Sequence, residues 1–236
     1  MNRHAQSAVM FLLGATLLHA GSTDLYLRYV KSGLRPLLLL SGAVLIAAAV
    51  ATVWYERRGP RKEHQHQHHE PRVSWLLVLP LLALVLVAPP ALGSYSAMRT
   101  GTALQQPYGY DELPAKGPLR LGVADYAGRA VYDQGRSIKG RELKVTGFLA
   151  MDRAGHPYLV RMALNCCAAD AQPVKIALTG AIPPVLRPDA WLEVTGTYTP
   201  ERTKDPVNNG PIPYLKVTEA RPATAPADPY DETWNE

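Results

Sequence analysis

The first 94 residues are dominated by long apolar runs with short polar breaks, and the remainder is not. Pro36 to Trp54 reads PLLLLSGAVLIAAAVATVW and Trp75 to Leu92 reads WLLVLPLLALVLVAPPAL, neither with a charge. About twenty apolar residues in a helix cover the ~30 Å hydrocarbon core of a bilayer. A helix apolar on every face also has no polar side to turn to water. Both runs therefore predict membrane-spanning helices, over 36–54 and 75–92. Pro80, Pro89 and Pro90 should kink or end the second. Trp54, Tyr55 and Trp75 sit at the ends, where aromatic residues favour the membrane interface. An earlier and shorter apolar run predicts a helix over about 7–27, with Asp24 at the outer interface or against protein. The same stretch also reads as a signal peptide, with Arg3, an apolar core and small residues at Ala20–Ser22. No clean A-x-A cleavage site follows, which favours the retained helix.

Beyond residue 94 the pattern changes. Residues 95–122, rich in Pro, Gly and Tyr, read as an irregular linker. Val123 to Gln134 fits a short helix burying Val123, Tyr126, Ala127 and Ala130. Five runs of β-branched and aromatic residues in partial alternation follow, over 142–151, 158–164, 174–179, 191–199 and 214–219. Ala154–Gly155 marks the first hairpin. The longest break, Ile182–Asp189, lies between the third and fourth runs. Five short strands so spaced suggest a small OB-like five-stranded barrel over 123–222, with a tail at 223–236. A generic barrel or sandwich is the alternative. The expected fold class is thus an α+β membrane protein, with N-terminal transmembrane helices followed by an OB-like β-barrel.

Charge divides at the same boundary. Residues 1–94 carry nine Lys/Arg against four Asp/Glu, and residues 95–236 carry sixteen of each. The basic excess therefore belongs to the apolar third, and the β domain has none to offer phosphates, which excludes a nucleic-acid partner. Basic residues beside apolar helices read instead as topology signals. The 55–74 loop carries Arg57, Arg58, Arg61, Lys62 and Arg72, while 21–35 carries Arg28, Lys31 and Arg35. With Arg3 on the side of the five, the positive-inside rule puts the N-terminus and the 55–74 loop in the cytoplasm, with the apolar helices in the plasma membrane. Three spans then put the C-terminal domain outside.

Two places carry candidate chemistry. One is Cys166-Cys167 with Asp170 close behind. Thiolates are soft ligands that suit zinc or Cu(I), and a zinc site takes three or four protein ligands. The chain supplies two thiols, Asp170 and, as a more distant choice, His156. In an extended strand the two thiols point to opposite faces, so at most one reaches the core unless the chain turns. Buried structural cysteines are the competing use, and a vicinal disulfide requires a strained ring. The other place is the His-rich loop, with His64, His66, His68 and His69 between Glu63 and Glu70. Imidazoles at that density capture Zn, Ni or Cu without a folded site, and a solvated linker that binds metal incidentally is equally compatible. His19 falls either inside the first span or at its interface. No nucleophile–base arrangement, phosphate loop or HExxH motif is present, and nothing in the sequence argues for an enzyme.

Several stretches together resemble the YcgQ-like bacterial membrane family. They are Leu18-His19-x-Gly21 with Tyr29 and Arg35-Pro36, then Gly140-Arg-Glu-Leu-Lys-Val-Thr-Gly-Phe148. Arg161 with Cys166-Cys167-x-Ala169-Asp170-Ala171 is the most specific, followed by Trp191-x-x-Val194-x-Gly196 and Pro229-Tyr230. The resemblance implies one subunit of a two-component permease, acting with a polytopic permease-like membrane protein and embedded in membrane lipid. It also implies a link to zinc-responsive regulation. The family's signature falls on Arg161, Cys166, Cys167 and Asp170, without a settled role for any of them. The sequence alone leaves two other classes open: a thiol-dependent redox or metal-transfer protein, and a structural envelope-binding module. An Arg161–Asp170 ion pair holding the strand end is the structural use of those two residues.

Overall fold

The computed structural model describes residues 3–58, 76, 78–87, 89–182 and 187–231. The chain divides into two compact units: residues 1–26 with 32–90, and residues 27–31 with 91–236.

The first unit holds α1 (Arg3–Ser22), α2 (Arg35–Arg58) and α3 (Val78–Leu86). Small residues let α1 and α2 approach closely. A Cβ on Gly14 would lie 2.8 Å from the Gly42 carbonyl oxygen, and one on Gly42 would lie 3.0 Å from that of Gly14. Such small-residue crossings suit helices that gain little from hydrophobic burial against each other. The hydroxyls of Thr16, Ser41 and Thr52 each donate to the carbonyl four residues back, on Leu12, Leu37 and Ala48. That satisfies them without water. Ser32–Arg58 is the one helical stretch among the described residues long and apolar enough to cross a bilayer, and buried core helices and leader segments can share its length and composition.

The segments differ from the sequence reading. The first helix stops at Ser22, and Asp24–Arg28 continues as a 3₁₀ turn rather than α-helix to 27. The third is described as α-helix over nine residues, Val78–Leu86, and the ends of the apolar run at 75 and 77 lie outside the described residues. Pro80 sits in its first turn, where its missing N–H costs nothing. The chain leaves the helix after Leu86, before Pro89 and Pro90.

The second unit is built on a seven-stranded sheet. Its strands are β1 (Leu119–Leu121), β2 (Leu143–Met151), β3 (Pro157–Ala163), β4 (Gln172–Gly180), β5 (Trp191–Lys204), β6 (Pro211–Pro222) and β7 (Tyr230–Asp231). The order is β1-β2-β5-β6-β4-β3-β7, and a further β2–β3 pairing closes five strands into a barrel. All barrel pairs are antiparallel except β4 with β6. Closure removes the exposed edges of an open sheet. Gly196 lies at a β5 irregularity where a Cβ would meet the Lys216 carbonyl oxygen at 2.5 Å, so only glycine fits.

A short helix, α4 (Ser94–Ala97), and an amphipathic one, α5 (Val123–Val131), complete the unit. Val123, Tyr126, Ala127 and Ala130 enter one core with Leu143, Val145, Leu159, Ile176 and Leu215 of the barrel. The fully buried Tyr126 hydroxyl donates to the Tyr214 carbonyl at 2.5 Å. A second cluster packs Phe148, Val160, Met162, Ile212 and Tyr230 with Ala97 of α4. The stretch expected to be irregular linker therefore contains α4 and β1, and the expected tail contributes β7. Three and two residues are too few for an alternating pattern to be visible.

Candidate functional site

The site is the turn that follows β3. The strand ends at Ala163, one residue earlier than the sequence suggested, and Leu164 drops into the second core cluster. The chain then bends at Asn165 and Cys166 and enters a 3₁₀ turn over Ala168–Asp170. Asp170 folds back on this bend. One of its carboxylate oxygens accepts the Asn165 N–H at 3.0 Å and the other accepts the Cys166 N–H at 2.9 Å. This is the local chemistry by which Asp side chains close turns.

The cysteines therefore do not lie in a strand with thiols on opposite faces. Cys166 is exposed, Cys167 half-buried, and both are free thiols outside either core cluster. The two Sγ atoms and an Asp170 carboxylate oxygen lie within 4.8 Å of one another. Ligand atoms around tetrahedral zinc stand about 3.5–4 Å apart, so a closure of about 1 Å completes a three-ligand site. Beside Asp170 a small cavity of about 30 Å³, bordered by Asn165, Gln105 and Gln172, has room for water.

The electrostatics of the turn are reciprocal. The Asp170 carboxylate accepts a hydrogen bond from the Cys166 thiol and, with the neighbouring Cys167, pushes that thiol up to about 12. Partial burial pushes Asp170 the other way from its ionised form. Hydrogen bonds from the Cys166 thiol and the amides of Cys166, Asn165 and Cys167 outweigh that, holding its carboxyl below the usual range. The turn thus presents a carboxylate and a protonated thiol at neutral pH.

Arg161 and Asp170 each have their own partners. The Arg161 guanidinium donates to the Tyr230 carbonyl and, at 3.3 Å, to that of Asp228. It also sits 5.1 Å from the Trp191 ring centroid. His156 does not join the cysteines. It caps the β2–β3 hairpin, its ring nitrogen 2.8 Å from Asp152, at the far end of a seven-residue strand from the turn. At about 3.3 Å per residue that is roughly 20 Å away. His64, His66, His68 and His69 lie outside the described residues. His19 is exposed near the C-terminal end of α1.

Two features have no sequence signal. Val30 forms an isolated antiparallel bridge with Cys167, which brings the segment between α1 and α2 onto the cysteine turn. Lys175 and Asp205 form a buried ion pair at 2.7 Å, 30 residues apart in sequence. Lys175 also donates to the Thr100 carbonyl, and Asp205 accepts the amides of Thr102 and Val207.

A family model described as the DUF1980 C-terminal domain matches residues 109–231, which include Arg161, Cys166, Cys167, Asp170 and the whole barrel. Neither a curated protein nor a solved structure matches the chain.

Proposed function

This chain belongs to the DUF1980 C-terminal domain family, and we propose that it is a membrane-anchored accessory subunit that captures a thiophilic metal ion, zinc first of all, for a polytopic permease-like partner. The observation that carries this is the convergence of Cys166, Cys167 and Asp170 within 4.8 Å on an accessible turn. Two thiolates and one carboxylate bind zinc and leave a fourth position open. An open position on a half-exposed turn suits capture and hand-over better than permanent structural binding.

Membrane anchoring rests on the surface of α2. Leu37, Leu40, Val44, Val50 and Trp54 are all more than half exposed, and only 11 % of the most apolar window of Ser32–Arg58 is buried. A core helix of a soluble domain would bury that surface, and lipid covers it at no cost. With a third span over 75–92, the positive-inside pattern supports a β domain outside the cell. Its five-strand barrel, closed by the β2–β3 pairing, and its single parallel pair also fit an OB-like barrel.

Cobalt is the test, because thiolate-bound Co(II) absorbs in the near ultraviolet and zinc displaces it. The full chain in mild detergent should bind one Co(II) with a thiolate charge-transfer band. Cys166→Ser or Cys167→Ser should remove the band. A chain that binds no metal, or whose band survives both substitutions, refutes the reading.

A further inference from the structure

Building on the metal reading above, we propose that Tyr29–Lys31, the short segment between α1 and α2, positions the cysteine turn, so that metal binding and the docking of this segment are linked. The bridge engages the backbone on both sides of Cys167. The Lys31 N–H donates to the Cys166 carbonyl at 3.0 Å, and the Ala168 N–H donates to the Tyr29 carbonyl at 2.8 Å. Cys167 lies between them as the bridge partner of Val30, with extended backbone. Each Sγ is two bonds from its Cα, so a backbone held on both sides limits where the thiols can stand.

The segment is itself held by residues that the metal does not use. The Tyr230 hydroxyl donates to the Arg28 carbonyl at 2.8 Å and accepts the Leu92 N–H at 3.4 Å. Tyr230 is in turn held through its carbonyl by Arg161, which packs over Trp191. Arg161 and Tyr230, singled out in the sequence without a role, thus act as positioning residues for the turn through Arg28–Lys31. Drawing three ligand atoms in from 4.8 Å tightens the turn on which the bridge hangs. If the docked segment favours the metal-ready turn, metal favours the docked segment by the same factor.

The test is hydrogen exchange on the full chain in mild detergent, with and without zinc chloride. The reporters are the amides of Lys31 and Ala168, which donate across the bridge. Zinc should slow both. Lys31→Pro, which removes one of those donors, should weaken zinc binding about five- to tenfold, the effect of one lost hydrogen bond. Tyr230→Phe, which keeps the ring and folds more readily, should weaken it about threefold or more through the freed Arg28 carbonyl. Zinc bound at full affinity in both variants, with exchange at Lys31 and Ala168 unchanged in the unaltered chain, overturns the linkage and leaves the metal site standing. No zinc bound to the unaltered chain overturns the site and the linkage together.

Discussion

The Cys166 thiol keeps its proton because it donates a hydrogen bond to the Asp170 carboxylate, and metal capture must expel that proton. At neutral pH the free turn has Cys166 protonated and Asp170 ionised, so binding releases at least one proton. Zinc affinity should therefore rise with pH, about tenfold per unit for each proton released. Because Asp170 is held below the usual carboxylate range, its protonation should weaken binding only well into the acid region. Competition with a chelator at pH 6, 7 and 8 checks the first expectation; a flat profile contradicts it. Elsewhere, Lys175→Ala leaves Asp205 charged and buried without its cation, and should cost about 3–5 kcal/mol of stability. Differential scanning calorimetry reads this as a lower Tm, and Lys175→Met with Asp205→Leu together should cost less. The adjacent cysteines and Asp170 are legible in the sequence because their spacing is local. His156 is misleading for the same reason: it is ten residues from Cys166, but a strand carries it away. The Lys175–Asp205 pair is illegible, since strand order alone brings those two residues together.

At the scale of elements, the five barrel strands and α5 are readable because each is long enough to carry a period. Their ends shift by several residues where hairpins extend, as in β5 to Lys204 and β6 from Pro211. β1, β7 and the Val30 bridge escape the sequence because they are fixed by partners and not by pattern. The third apolar run is unbroken over 18 residues in hydropathy, and helix is described over nine of them, Val78–Leu86. For α1 and α2 the crossing depends on the absence of two side chains. Gly14→Leu or Gly42→Leu should separate the helices, seen as faster proteolysis of the helical unit in detergent with the Tm of the β unit unchanged. Resistance equal to the unaltered chain would show that the crossing is not held there.

For the whole molecule, the segment 27–31 is part of the β unit, yet it lies between α1 and α2. With three spans, the charge pattern supports an extracytoplasmic β domain. A reporter fused after Glu236 should be active only in the extracytoplasmic form, and a cytoplasmic signal would move the thiols into a reducing compartment. The account rests most heavily on which atoms hold the metal, because the chain offers both a cysteine turn and a His-rich loop. X-ray absorption at the zinc edge of the purified full chain, loaded with one equivalent, distinguishes them. Two sulfur ligands at about 2.3 Å with oxygen or nitrogen completing the shell is the predicted result. A shell of nitrogen and oxygen alone, at about 2.0–2.1 Å, would contradict the account and move the metal off the cysteine turn.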